Sequence, residues 1–213
     1  NTTFAAYTEN IDLKARDGTA GTFVYTLPQV RLPDDLPSLL DNDVHWDKES
    51  FDLRLWGGVL AKPKALGKAT AELSFFRLQE RDSPSRPTRN RDLRTVAARV
   101  IRDPEAGKVD FEIEGAYQFG KARASLAANA PLLDVAAGFV HADLGYSFPG
   151  KAGLRLSLEY DYVSGDGRGA KYRRFDTLFG MRRADFGPAG IYSTIGRANI
   201  STPGIRAEIA PSK

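Results

Sequence analysis

The chain has 213 residues, 42% of them hydrophobic and 27% charged, with a formal net charge of +3 and a pI near 9.1. No run approaches the ~18 consecutive apolar residues of a membrane-spanning helix, and the absence of cysteine excludes disulfides and thiolate metal sites. The mild basic excess lacks the aromatic-flanked stripes of a nucleic-acid binder, so no nucleic-acid partner is expected. A mean hydropathy of −0.36 leaves a β-barrel open, because barrel strands are only half apolar.

Taken in order, the chain reads as strands. A weak alternation over 4–15 carries Tyr7, Ile11 and Leu13 on one face, and Arg16-Asp17-Gly18-Thr19 is a hairpin turn. The return strand over 22–28 places Phe23, Tyr25 and Leu27 together. The connection 28–50 holds three prolines, and from Arg31 to Glu49 six carboxylates outnumber two cations, a net of −4. A strand over 51–61 is expected to turn Phe51, Leu53, Leu55 and Val59 outward and Asp52, Arg54 and Trp56 inward. After a turn at Lys62-Pro63-Lys64, the strand 68–80 sets Ala69, Ala71, Leu73 and Phe75 opposite Lys68, Thr70, Glu72 and Ser74. The connection 81–91 carries four arginines against Asp82, a net of +3.

The strand 92–103 has Val96, Ala98 and Val100 on one face and Arg99 on the other. After a short turn, 108–119 alternates most regularly: Val109, Phe111, Ile113, Tyr117 and Phe119 against Asp110, Glu112, Glu114 and Gln118. A connection over 120–132 leads to the strand 133–148, then a turn, then the strand 153–164. In the latter, Leu154, Leu156, Leu158, Tyr160 and Tyr162 oppose Arg155, Ser157, Glu159 and Asp161. A long connection, 164–203, precedes a last strand over 204–211.

Two-faced strands longer than ~9 residues, ending in aromatics, fit a lipid-facing wall better than a soluble sandwich. The alternation of short turns with long loops orients that wall, with 28–50, 81–91, 120–132 and 164–203 on the outer side. The expected fold is therefore all-β, a single antiparallel transmembrane β-barrel region over residues 1–213. Nine strands is an odd count with two open edges, so this region is expected to be an inner portion of a larger, roughly 18-stranded barrel. A soluble antiparallel sheet stays open as the alternative.

On the inward face, Arg54, Lys68, Arg99, Arg155 and Arg206 meet nine carboxylates: Asp52, Glu72, Asp110, Glu112, Glu114, Asp143, Glu159, Asp161 and Glu208. Cross-strand ion pairs account for most of these charges. The 164–203 connection differs: seven cations, among them Arg173, Arg174, Arg182, Arg183 and Arg197, face three carboxylates, a net of +4. Guanidinium forks suit carboxylate solutes, and clustered cations concentrate anions at a pore. Leu178, Phe179, Phe186, Ile191 and Tyr192 are too apolar for a free loop, so it is expected to fold back inside the barrel or over its mouth.

Catalytic arrangements are poor. His45 and His141 lack motif partners, and His141 with Asp143 reads as a structural pair rather than part of a hydrolase triad. Asp41, Asp43, His45 and Asp47 lack the spacing of a calcium loop. The glycines of 165–169 lack the context of a phosphate cradle. No enzyme activity, cofactor or metal is expected.

Within the long connection, Leu178-Phe179-Gly180, then Arg182-Arg183, then Gly204-Ile205-Arg206 resembles the alginate export family of bacterial outer-membrane proteins. The strand end from Tyr160 to Asp166 is similar as well, and Trp56-Gly57 and Ala97-Ala98-Arg99 agree more loosely. That resemblance implies a monomeric outer-membrane barrel passing an anionic uronate polysaccharide such as alginate through a basic constriction. Outer-membrane lipid and lipopolysaccharide, and periplasmic export machinery, are the further partners it implies. A small-solute porin of the same fold remains the alternative.

Overall fold

The computed structural model describes residues 5–28, 49–83, 87–165, 170–178 and 198–210, all within one sheet and its connections. Its strands are β1 (Ala5–Lys14), β2 (Ala20–Pro28), β3 (Leu53–Leu66), β4 (Ala69–Glu80), β5 (Asp92–Arg102), β6 (Val109–Arg123), β7 (Leu132–Ser147), β8 (Leu154–Val163), β9 (Lys171–Tyr172) and β10 (Ile200–Ile209). Neighbours follow chain order from β1 to β8 and then β10, each antiparallel to the last, while β9 lies parallel to β7. The fold is all-β, as the alternation requires, with no helix among the described residues.

The alternation sorts side chains by chemistry, and the sorting is inverted relative to a soluble sheet. Leu144, Leu158 and Ile205 stand side by side in register yet are 54%, 60% and 83% exposed. On the opposite face Gln118, Asp110 and Asp143 are 0%, 1% and 8% exposed. Water would not tolerate the first set at this length, whereas hydrocarbon would. From Val109 to Phe119 the apolar face of β6 covers about 25 Å of membrane normal, taking ~3.3 Å per residue and a tilt of roughly 40°. Aromatic pairs mark its ends: Tyr146 meets Phe148 edge-on at 4.9 Å, and Tyr117 stacks on Phe119 at 6.0 Å. Tyr160 and Tyr162 share the apolar face, each 41% exposed.

Four short connections gather at one edge of the sheet and four longer ones at the other. Several boundaries depart from the sequence reading. Strand β3 starts at Leu53 and carries Lys62, Pro63 and Lys64 within it, its register shifting before Leu66, so the turn falls at Gly67 and Lys68. Strand β6 runs on to Arg123, and β10 begins at Ile200 rather than at 204. The short β9 lies inside what reads from sequence as one long loop.

The faces of β3 are also reversed. Leu60 pairs with Leu73, and Gly58 with Phe75, on the apolar outer face. Arg54 and Trp56 share that parity and point outward, while Leu53, Leu55, Gly57 and Val59 point inward. The reason lies in the interior: at the long-loop edge the inner face is itself apolar. Leu53, Leu78, Leu93, Ala122, Val135 and Ala137 form a buried cluster there, covered by Tyr172, Phe175 and Leu178. Asp52 precedes the strand. Lys68 sits in the β3–β4 turn, where it pairs with Glu105 at 2.7 Å.

Candidate functional site

The inner face has two zones. Toward the short-turn edge it is a lattice of charges held by register. Arg99 lies directly opposite Glu72 on β4 and Glu114 on β6, and binds Glu112 at 2.7 Å and Glu72 at 3.2 Å. Arg155 holds Asp110 through Nη2 at 2.5 Å and Nε at 3.0 Å, and also binds Asp143 and, at 3.4 Å, Glu208. Arg206 binds Glu159 at 2.8 Å. Three of the four guanidinium groups expected on this face lie there, each engaged by neighbouring carboxylates.

Acid nonetheless predominates. Glu72, Asp110, Glu112, Glu114, Asp143, Glu159, Asp161 and Glu208 outnumber those three arginines on β4 to β10. His141 does not pair with Asp143; its Nδ1 lies 2.7 Å from Asp161 Oδ1 on the next strand. His141, Glu159 and Asp161 bring three potential metal ligands within 4.8 Å of one another. All three already have partners, His141 and Asp161 in each other and Glu159 in Arg206.

Toward the long-loop edge a strap crosses the same face. Ser164 starts it: its hydroxyl accepts from Gly138 N–H at 2.8 Å and donates to the Arg173 carbonyl at 2.7 Å. Strand β9 then takes the ladder position beside Asp134 and Val135, which β8 has vacated. From there the chain crosses the wall. Phe175 meets Phe139 of β7 at 6.0 Å. Gln118 of β6 clamps Asp176 from both sides: its Oε1 accepts from Asp176 N–H at 2.9 Å, and its Nε2 donates to the Asp176 carbonyl at 3.0 Å and to Thr95 at 2.9 Å. The Asp176 carboxylate reaches Arg91 at 2.6 Å and receives Leu178 N–H at 2.8 Å.

The 81–91 connection supplies the second grip. Arg89 donates to Tyr172 Oη at 2.7 Å and to the Ala124 carbonyl at 2.7 Å, with its guanidinium 4.6 Å from the Tyr172 ring centre. Arg91 also forks onto Glu80 at 2.9 Å. Burial opposes the Arg91 charge, but Glu80 and Asp176 more than offset it, holding its pKa above the ordinary value. Asp82 is kept below the usual carboxylate range by the Thr88 N–H and by Arg123. Arg89, Arg91, Arg123 and Gln118 are the residues that sequence reading passed over. The +3 charge of 81–91 was the available signal, but nothing local tied it to residues 80 positions away.

The expected site residues fall in three places. Arg99, Arg155 and Arg206 line the inner face, and Arg173 and Arg174 lie on the strap, both exposed. Arg54 is on the outer face, contrary to expectation. Arg182, Arg183 and Arg197, with the apolar residues 179–192, lie outside the described residues, as does the 41–47 acidic cluster.

An apolar outer face, a charged inner face and a segment folded back across that inner face define a class: the wall of a membrane β-barrel. The chain belongs to the alginate export family, whose sequence model matches residues 39–213. That is a family of outer-membrane transport proteins and not of enzymes. No curated protein and no solved structure gives a match.

Proposed function

We propose that the chain forms part of an outer-membrane channel for an anionic polysaccharide, alginate or a related uronate polymer, and that the strap narrows its lumen. The carrying observation is the strap itself: residues 170–178 cross the inner face and are held there by Gln118, Arg89 and Arg91. A segment clamped in a lumen reduces its cross-section and brings loop cations over the solute path. The wall arginines are spent on neighbouring carboxylates, so anion attraction falls to the loops. Lys171 and Arg173 are exposed on the strap, and Arg182, Arg183 and Arg197 follow in the same +4 connection. Closure of the wall at roughly 18 strands belongs to the same proposal, as does polymer delivery at the short-turn edge by periplasmic machinery.

One observation favours the second reading, a small-solute porin: in the charge lattice toward the short-turn edge, eight inner carboxylates to three guanidinium groups make the wall itself poorly suited to a polyanion. Single-channel recording with uronate oligomers separates the two. Polymer export predicts voltage-dependent block by the oligomers, weakened in an Arg182→Ala/Arg183→Ala variant. Oligomers that never block would defeat the polymer reading, and a variant with unchanged anion conductance and block would defeat the role of Arg182 and Arg183.

A further inference from the structure

Outside the barrel wall, one charged group is out of place. Arg77 and Arg94 are directly opposed across β4 and β5, on the parity that also carries Leu73, Phe75 and Val96. They therefore face the lipid side, one register step beyond Phe75, Val96 and Tyr117. Like charges in direct cross-strand register repel, and here they share one carboxylate. Asp92 receives both Arg77 bonds at 2.9 Å and lies 3.6 Å from Arg94. Arg54 stands diagonally across β3, opposite Gln79, and its Nε is buried without a hydrogen-bond partner among the described residues. Two guanidinium groups thus share one carboxylate, with Arg54 diagonal to Arg77 on the next strand, at the edge of the apolar belt, where uncompensated charge is costly unless an anion meets it.

We propose that Arg54, Arg77 and Arg94 form a binding site for the phosphorylated headgroup of a glycolipid in the leaflet at the long-loop edge. The geometry suits that ligand. Guanidinium forks bind phosphate oxygens bidentately, and a basic cluster at headgroup depth recognises anionic lipids. The aromatic ring of Trp56, tilted on Phe75 at 5.7 Å and donating to Gln79 at 3.4 Å, lies in the same register row as Arg77 and seats at the membrane interface. A soluble anion would gain from the charges alone; a lipid gains also from the apolar rows directly below. The site rests on the wall facing lipid but not on the pore, so loss of conductance and loss of lipid binding are separate failures.

Trp56 reports on the site once Trp46, the other tryptophan, is replaced by phenylalanine. Purified protein in neutral detergent is titrated with diphosphoryl lipid A, with the dephosphorylated lipid, and with inorganic phosphate, following Trp56 emission. The proposal predicts a saturable shift with the diphosphoryl lipid, at least tenfold weaker in Arg77→Gln/Arg94→Gln. It predicts tighter binding in Asp92→Asn, which removes the competing carboxylate and keeps the arginines. Equal binding of the dephosphorylated lipid would overturn it, as would an unaffected double variant. A shift reproduced by inorganic phosphate at the same concentration would mark a free-anion site and overturn the lipid assignment. Should the double variant fail to fold, the single Arg94→Gln change, expected to weaken binding, and Asp92→Asn, expected to strengthen it, decide the matter.

Discussion

Gln118 carries more of the architecture than any charged residue near it. It occupies an ordinary polar position in the most regular strand, yet it is 0% exposed and bonds both backbone groups of Asp176. Replacing it with leucine keeps the volume and strands a buried N–H and carbonyl, at about 1–3 kcal/mol for each unsatisfied group. Gln118→Leu is expected to loosen the strap without unfolding the sheet. Limited proteolysis should then cut between residues 170 and 178 where the parent protein resists. Gly120, two positions on, is constrained by backbone geometry: its φ is +140°, and an added Cβ would collide with the Asp92 carbonyl. Gly120→Ala should cost roughly 1–3 kcal/mol, read as a lower denaturant midpoint for the refolded protein. Neither role was legible in the sequence. A glutamine on a polar face and a glycine near a strand end are unremarkable until a segment 58 residues away is brought against the first.

At the scale of elements, the short turns are staples between hairpins. In the β5–β6 turn Glu105 binds Lys108 at 2.5 Å and Lys68 of the neighbouring β3–β4 turn at 2.7 Å. Lys108 first and then Lys68 lower its pKa from 4.5 to about 2. The folded value lies below the unfolded one, so this contribution is complete above pH 4.5 and is lost as pH falls toward 2. Both partners are exposed, which keeps the effect on stability small. The titration itself is the clearer readout: Lys108→Ala should return the Glu105 carboxyl toward its ordinary range in an NMR titration. An unshifted midpoint would show that the staple does not persist in solution.

Strands β4 to β8 were readable because each has one polar and one apolar face over ten residues or more. The same rule failed on β3, for a physical reason. Where the strap packs on the inner face, the inward positions Leu53 and Leu55 are apolar, while Arg54 and Trp56 fall on the outer face. Periodicity located the strand but not its sides. Register with Leu73 and Phe75 decided them.

At the scale of the whole molecule, the inverted faces and the strap belong together. A wall with hydrocarbon outside and water inside leaves a lumen, and its width depends on what is folded into it. The sheet and the family were legible from sequence through alternation and through the motif around Leu178 to Arg183. The strap's path was not, because its grips come from Gln118 on β6 and from Arg89 and Arg91 on the 81–91 connection. Single-channel conductance in planar bilayers, comparing the parent protein with a Gln118→Leu/Arg91→Gln variant, tests the central claim most directly. Release of the strap predicts a larger unitary conductance and a reversal potential shifted toward cations, because the acidic wall then dominates the lumen. Identical conductance and identical reversal potential in the two proteins would contradict the account.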